Sequence, residues 1–212
     1  MSEHYSLRFS AVDKGQRFDD AEVVLAFGTR HFPAEQFSER SFKGTHIIRD
    51  PRDVLVSAYF YHLRTDEQWV HKARPKWGGR SYQELLRSLN TRDGIFTELE
   101  RLSRLEFKDL KTWAYDNPEI LELRYEDVLA NEHSMMERIF RHYGFTDAAV
   151  AQSADIAARF SLNSPMTKLD PHVRSGLPGQ WREVLEPDHV ERFKELTGDL
   201  VVRLGYESTN DW

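Results

Sequence analysis

Residues 44–62 read GTHIIRDPRDVLVSAYFYH, in which a short apolar strand pattern runs directly into a helix pattern. The apolar run stops at Arg49, and Asp50 and Pro51 follow at once. Proline suits the first position of a helix, because the N–H that it lacks would have no partner there. Asp50 is placed to cap the first turn, and Asp53 falls where a capping box has its acidic residue. The stretch therefore predicts a strand that turns sharply into a helix.

The start of this helix has the features of an anion-binding site. The first N–H groups of a helix lack partners within it, and the helix dipole places positive charge there. Arg49 adds a planar fork of donors that matches phosphate geometry, and Ser57 adds a hydroxyl in the second turn. The alternative is a well-capped corner without a ligand, in which Arg49 pairs with Asp50 or Asp53.

The composition indicates a soluble globular chain with one domain, residues 1–212. Of the 212 residues, 40% are hydrophobic and 30% are charged, which excludes a disordered polar chain. The chain has no cysteine, which excludes disulfides, thiolate catalysis and cysteine-bound metal and favours a cytoplasmic location. We find no apolar signal core and no run long enough to span a bilayer, so we expect no membrane partner.

The net charge of −6 argues against nucleic acid as a partner. A protein of this sign that binds an anionic ligand must concentrate positive charge locally. We therefore expect Arg49, Arg52 and Arg174 to be more informative than arginines in a basic protein would be.

The order of apolar runs and helical patterns predicts the fold class. We expect strands at Val23–Phe27, His46–Ile48 and Ile120–Tyr125, and an edge strand at Tyr5–Ala11. We expect helices at 50–64, from 81 onward, at 106–117, from 134 to about 144, at 150–160 and at 187–204. Ser81 with Glu84, and Ser134 with Glu137, have the spacing of helix caps at two of these starts. This alternation predicts an α/β protein whose parallel sheet is flanked by helices on both faces. Ligands of such sheets bind at the carboxyl ends of the strands, where Arg49 lies.

Residues 65–80, TDEQWVHKARPKWGGR, have the composition of a long loop. Their tryptophans, Trp69 and Trp77, support two interpretations. A long aromatic loop beside a binding edge is often a lid that frames the acceptor of a reaction. Alternatively, the two tryptophans fill the edge of the core under an ordinary surface loop.

Two segments far apart in the chain resemble the sulfotransferases that use 3′-phosphoadenosine-5′-phosphosulfate (PAPS), and the resemblance runs from about residue 31 to 206. The family's R-x-x-[KR]-D-V-x-V-S corner stands here as RDPRDVLVS, residues 49–57, and its R-x-G-x-x-G-x-W loop as RSGLPGQW, residues 174–181. The resemblance implies that Arg49, Ser57, Arg174 and Gly176 hold the 3′-phosphate of PAPS. Ser175 replaces a lysine common in the animal cytosolic branch, and its hydroxyl or N–H can serve instead.

Three further residues match family positions. The resemblance implies that Tyr125, in the string RYEDV, and Phe160 flank the adenine of PAPS. It also implies that His31, in the string TRHFP, is the general base that activates the acceptor hydroxyl, since imidazole titrates near neutral pH. The alternatives are that the two aromatic residues belong to the core and that His31, one of nine histidines, is structural.

The implied activity is transfer of a sulfuryl group from PAPS to a hydroxyl of a small-molecule or carbohydrate acceptor, which leaves adenosine 3′,5′-bisphosphate. Such an in-line displacement needs positioning and electrostatic stabilisation, and we expect no metal, because the leaving group is a nucleotide phosphate. A non-catalytic nucleotide-binding or interaction module is the alternative. An adenylate-kinase-like enzyme is disfavoured, because the chain has no GxxxxGK[ST] loop.

One expected segment is not found in the sequence. The family's fold is a P-loop-NTPase-like parallel sheet that opens with a strand and a phosphate loop resembling P-K-S-G-T-T-W, and no such string is present. We therefore expect a domain that is incomplete at its N-terminus, without the first strand and the phosphate loop. The alternatives are that residues 5–11 fill the place of that strand or that a partner chain does.

Overall fold

The computed structural model describes residues 9–12, 23–26, 42–159, 161 and 176–212. The chain divides into two compact units, residues 1–42 and residues 43–212, which are described separately. In the first unit, β1 (Phe9–Val12) pairs in parallel with β2 (Val23–Ala26). The prediction of a strand near each position is confirmed, with β1 displaced toward the C-terminus of the expected segment.

The second unit contains a two-stranded parallel sheet that ends in two strand-to-helix corners. Strand β3 (Gly44–Ile48) pairs with β4 (Ile120–Arg124), and the last residue of each strand lies opposite that of the other. Helix α1 (Pro51–His62) follows β3, and helix α6 (Tyr125–Ala130) follows β4. Because the strands are parallel, both corners lie at one edge of the sheet. The predicted α/β class, a parallel sheet flanked by helices, is confirmed.

The remaining helices of the second unit are mostly short. They are α2 (Gln68–His71), α3 (Tyr82–Arg87), α4 (Thr91–Arg104), α5 (Glu106–Thr112), α7 (Glu132–His142), α8 (Asp147–Ala158), α9 (Trp181–Val184), α10 (Pro187–Thr197) and α11 (Leu200–Arg203).

Several helix starts follow from local capping chemistry. Helix α3 begins with the predicted capping box, in which Ser81 and Glu84 each accept a hydrogen bond from the other's backbone N–H. Ser134 was expected to cap the start of helix α7, and that prediction is wrong. Helix α7 already begins at Glu132, and the Ser134 hydroxyl donates to the carbonyl of Asn131.

The expected helix at residues 187–204 is interrupted. Gly198 has a φ of +64°, a backbone conformation that side-chain-bearing residues rarely adopt, and it ends α10 before α11 begins. The expected helix at 106–117 ends earlier than Pro118 requires, at Thr112. Helix α8 begins before the expected Val150, because Thr146 caps it.

Helix α4 was not predicted, and its position explains the core. Its buried residues Ile95 and Leu99 belong to one cluster with Tyr59 of α1 and Phe193 of α10. Gly94, inside α4, lies directly under the ring of Tyr59, where a Cβ atom would approach Cε2 to 2.5 Å. The glycine therefore allows α1 and α4 to pack at close range.

The loop at residues 65–80 lies against this core. It contains the short helix α2 and a 3-10 turn at Pro75–Trp77. The rings of Trp69 and Trp77 lie 5.5 and 5.0 Å from the ring of Tyr82. Both tryptophans are partly buried against the core, as in the second of the two interpretations above.

Candidate functional site

The corner between β3 and α1, residues 48–53, is built by capping and by long-range contacts. It is called the Arg49 corner below. The Asp50 carboxylate accepts a hydrogen bond from the N–H of Arg52 at 2.9 Å, and Pro51 occupies the first helical position, as predicted. The N–H of Asp50 donates to Oε1 of Glu126 at 3.2 Å. The corner of β4 and α6 therefore supports the Arg49 corner directly.

Glu126 is a structural residue that the sequence reasoning missed, although it stands in the quoted string RYEDV. Its Oε2 lies 2.8 Å from the hydroxyl of Tyr206, which is also 3.1 Å from the carbonyl oxygen of Ile48. Burial and the Glu126 carboxylate raise the pKa of Tyr206, so this hydroxyl keeps its proton. The C-terminal part of the chain thus holds the end of β3 in place.

Arg49 lies half-buried at the carboxyl end of β3 and is not neutralised by the neighbouring acids. It forms no ion pair with Asp50 or Asp53, contrary to the ligand-free alternative. Its Nη2 donates to the carbonyl of Leu177 at 3.2 Å, and its guanidinium carbon lies 4.7 Å from the centre of the Tyr125 ring. Its Nε is buried and has no hydrogen-bond partner among the described residues. Arg49 therefore keeps one donor that the described residues do not satisfy.

Arg52, three residues later, is buried and uses Nε, Nη1 and Nη2 for contacts within the protein. Its side chain is 1% exposed and makes a bidentate contact with Asp50, with Nε–Oδ1 and Nη2–Oδ2 distances of 2.9 and 2.7 Å. Its Nη1 donates to Glu207 at 2.6 Å. The guanidinium also lies over the rings of Trp181 and Trp212, at 3.9 and 4.5 Å. Arg52, which was expected to be informative about local positive charge, is thus paired with two carboxylates of the protein.

Asp53 connects the Arg49 corner to residues 176–181, called the 176–181 segment below. Its Oδ2 accepts from the N–H of Gly179 at 2.6 Å, and its Oδ1 accepts from the N–H of Trp181 at 3.0 Å. Asp53 therefore does not complete a capping box, contrary to the sequence-based expectation. Its carboxylate is used for a contact with residues more than a hundred positions away.

Tyr125 contacts the same segment from the start of α6. Its hydroxyl donates to the carbonyl of Gly176 at 2.8 Å, and one face of its ring contacts Arg49. Burial raises the pKa of Tyr125, while the positive charge of Arg49 opposes the shift. The structure thus brings Arg49, Tyr125 and Gly176 together, and these belong to three separate predicted motifs.

The other predicted site residues have different outcomes. Ser57 lies half-buried in the second turn of α1 and forms no hydrogen bond through its side chain among the described residues. His31, Phe160, Arg174 and Ser175 lie outside the described residues.

A cavity of about 350 Å³ lies beside β4, and Ile48 of the Arg49 corner is among its lining residues. Its lining includes Tyr115, Glu122, Arg124 and Arg203 but none of Arg49, Tyr125 or Gly176. Within residues 42–159 and 176–212, no group of three or more acidic or histidine side chains is arranged to hold a metal ion. Among the described helices, none has the length and apolar character needed to cross a membrane.

Comparison with known proteins gives one family. The family model described as the sulfotransferase domain matches residues 13–205 of this chain. No curated protein sequence matches the chain at a significant level.

Among solved structures, the chain is similar to the mouse sulfotransferase SULT7A1 complexed with PAP, with 20% identity and a TM-score of 0.47 over 76% of this chain and 58% of that one. It is also similar to retinol dehydratase complexed with androsterone and inactive cofactor PAP, with 19% identity and a TM-score of 0.39 over 75% of this chain and 47% of that one. The chain therefore spans about half the length of the solved structures it matches.

Proposed function

The chain belongs to the sulfotransferase domain family, and from this premise we propose that it transfers a sulfuryl group from PAPS to a hydroxyl group of a small-molecule or carbohydrate acceptor. The observation that carries the proposal is the meeting of two motifs: the Arg49 corner and the 176–181 segment are joined by the Asp53 carboxylate and by the hydrogen bond from Arg49 to Leu177. Both motifs match family segments that bind the same phosphate.

Arg49 is the residue best placed to hold the 3′-phosphate. A buried donor without a partner costs about 1–3 kcal/mol, and a phosphate oxygen at Nε would remove that cost. The positive end of the α1 dipole favours the same charge. By resemblance, Ser57, Gly176, Arg174 and Ser175 complete the phosphate site.

The adenine of PAPS is proposed to lie against Tyr125 and Phe160. The Tyr125 ring is held from two sides, by the Arg49 guanidinium and by its hydrogen bond to Gly176. Such a ring loses little freedom when a base stacks on it, because its orientation is already set. Phe160 is assigned by resemblance alone.

His31 is proposed as the general base. Its imidazole takes the proton of the acceptor hydroxyl while the acceptor oxygen forms a bond to sulfur, and the bond between sulfur and the phosphate oxygen breaks. Adenosine 3′,5′-bisphosphate leaves with the electron pair of that bond. General-base catalysis of this kind contributes about 10²–10⁴-fold to a rate. No metal is needed for this displacement, because the leaving group is already a stable phosphate.

A non-catalytic module that binds only the 3′-phosphate half of the nucleotide is the second candidate. The observation that favours it is the absence, in these 212 residues, of a string resembling the phosphate loop that holds the 5′-phosphosulfate. For either function we propose one sulfotransferase-like domain in the cytoplasm.

Titration calorimetry with adenosine 3′,5′-bisphosphate tests the phosphate site, and transfer of labelled sulfate from PAPS tests catalysis. Arg49→Ala is expected to weaken nucleotide binding about 30-fold or more, since it removes a charge-assisted contact. Arg138→Ala, which removes an exposed arginine of α7, is the control and should leave the affinity unchanged.

The outcomes separate the candidates. Nucleotide binding with sulfate transfer that falls in His31→Ala at unchanged affinity supports the enzyme. Binding of the bisphosphate without transfer to any alcohol or sugar supports the module. No binding, or binding that Arg49→Ala leaves intact, rejects the proposed phosphate site.

A further inference from the structure

The carboxylate of Asp53 joins two motifs of the proposed nucleotide site without being assigned to either phosphate or base. We propose that Asp53 is a positioning residue, which holds the 176–181 segment over the Arg49 corner in the conformation that binds the nucleotide. The inference rests on the proposed function for its consequence for binding, but the contact that it describes can be measured without any nucleotide.

The geometry of the contact is specific to a carboxylate. Both oxygens are used, one for the N–H of Gly179 and one for the N–H of Trp181, at 2.6 and 3.0 Å. The side chain of an asparagine can offer only one of these acceptors, because its second group is a donor. Asp53 is 2% exposed, so water does not compete effectively for either bond.

Two other contacts of the segment are either exposed or made by a neutral donor. Leu177 is 60% exposed, and its carbonyl accepts from Arg49 at 3.2 Å at the surface. Gly176 accepts a hydrogen bond from the neutral hydroxyl of Tyr125. A hydrogen bond to a buried carboxylate is stronger than one between neutral groups, and an exposed bond is weakened by competing water. Asp53 therefore holds the segment through two buried hydrogen bonds to its backbone.

The backbone of the segment is shaped to reach Asp53. Gly179 has a φ of +80°, a conformation that favours glycine, and Trp181 starts helix α9 two residues later. The Trp181 ring lies on the guanidinium of Arg52, so its side chain and its N–H are held by consecutive residues of α1. Helix α1 thus fixes both the ring and the backbone of the segment.

An electrostatic role and a positioning role of Asp53 predict opposite changes in nucleotide affinity when its carboxylate is removed. A negative charge near a proposed anion site opposes binding, so its removal should strengthen binding if Coulomb interaction were its whole effect. If Asp53 acts by positioning, its removal should weaken binding, because the segment no longer stays closed. The sign of the change in affinity therefore identifies the role.

Amide hydrogen exchange of the free protein is the first measurement. In the wild-type chain, the N–H groups of Gly179 and Trp181 should exchange at least about tenfold more slowly than an unprotected peptide, as expected of buried hydrogen-bonded amides. In Asp53→Asn, exchange at these two positions should become about tenfold faster, while the buried amide of Leu99 stays protected. Exchange at unprotected rates in the wild type would overturn the inference without the use of any variant.

Affinity for adenosine 3′,5′-bisphosphate is the second measurement. We expect Asp53→Asn to weaken binding about tenfold and Asp53→Glu, which keeps the charge but displaces it, to weaken binding as well. Glu183→Gln is the matched control: it removes an exposed negative charge two residues beyond Trp181 without touching the segment amides, and it should leave binding unchanged or slightly stronger. Tighter or unchanged binding in Asp53→Asn would overturn the inference. If the wild type does not bind the bisphosphate, the proposed function fails, and the exchange measurement still decides whether Asp53 holds the segment.

Discussion

The buried charged groups at the two ends of helix α1 differ in how completely they are hydrogen-bonded. At its N-terminal end, Arg49 keeps a buried donor without a partner among the described residues. At its C-terminal end, His62 joins a buried cluster in which Glu98 has three donors: Nδ1 of His62 at 3.0 Å, the hydroxyl of Tyr82 at 2.8 Å and Nε of Arg101 at 2.8 Å. We call these four residues the Glu98 cluster. One end keeps a donor that the described residues do not satisfy, and the acceptor at the other end is fully used.

The comparison shows how buried charge can be assigned to stability or to binding. A buried ion that is fully hydrogen-bonded within the protein rigidifies the fold, and truncating one partner is costly. A cation that remains incompletely paired beside a helix N-terminus retains capacity for an anion. The same contrast is found between two arginines at the N-terminal end of α1. Arg52 is paired with Asp50 and Glu207, whereas Nε of Arg49 has no partner among the described residues.

The largest effect on stability is expected for Glu98→Ala. The substitution removes the acceptor shared by three buried donors, which should lower the free energy of unfolding by about 3–5 kcal/mol. Urea denaturation measures the change. Glu100→Ala, which removes a more exposed glutamate from the same helix, should cost about 1 kcal/mol or less. Equal losses for the two variants would show that the Glu98 cluster is not the more stabilising of the two sites.

The decrease of the free energy of unfolding at acidic pH tests the contribution of the Glu98 cluster in the wild-type protein. Burial acts to raise the pKa of Glu98, but the hydrogen bond from His62 and the charge of Arg101 outweigh it, so the pKa lies below its ordinary value. The contribution of Glu98 to stability is therefore fully present above the pKa of an unfolded glutamate and is lost as the pH falls through the lower folded pKa. In Glu98→Gln, this part of the acid dependence of unfolding should disappear.

The second-largest effect on stability is expected for Arg52→Ala. It leaves the carboxylates of Asp50 and Glu207 without their shared cation and empties the space between two indole rings, at a cost of about 3 kcal/mol. The melting temperature should fall by about 6–12 °C for a chain of this size. Arg182→Ala is the matched control, since Arg182 also contacts the Trp181 ring but is exposed. A fall of the same size in Arg182→Ala would contradict the assignment.

A smaller effect is expected for Gln83→Ala. The buried Gln83 amide donates to the carbonyls of His62 and Thr65 at 3.1 and 3.0 Å, and it thereby caps the C-terminal end of α1. Loss of these bonds should lower the free energy of unfolding by about 1–2 kcal/mol in urea denaturation. Gln152→Ala, at an exposed position on α8, should have no measurable effect.

The smallest effect on stability is expected for Arg49→Ala. Among the described residues, Arg49 makes an exposed hydrogen bond and a ring contact and no ion pair, so its removal should change the free energy of unfolding by less than about 1 kcal/mol. The same variant is expected to have a large effect on nucleotide binding. A loss of stability as large as that of Arg52→Ala would remove the contrast between the two arginines.

Sequence reasoning succeeded where structure depends on a few neighbouring residues. The caps Asp50 and Ser81 and the first-turn proline Pro51 were predicted, because their partners lie within three positions along the chain. Helix α4 was missed, and Gly94 is part of the reason. An interior glycine costs about 1 kcal/mol relative to alanine. Here it provides the space for the ring of Tyr59, which only packing reveals.

In the candidate site, too, local motifs were predicted from the sequence but a long-range contact was not. The motifs at residues 49–57 and 174–181 were identified as belonging together, but the residue that joins them was assigned to a capping box. Asp53 has equally good local reasons to bond to its own helix. The N–H groups of Gly179 and Trp181 reach it through the fold, so no local pattern could have revealed the contact.

The string RDPRD contained enough local information to predict a strand end, a helix start and a concentration of charge, because capping and backbone preferences act over a few residues. It could not distinguish its two arginines, which are chemically identical. Arg52 is paired in the interior with Glu207, 155 positions away, whereas Arg49 contacts the carbonyl of Leu177, 128 positions away. The role of each cation depends on which partners surround it in space, and that environment is created by folding.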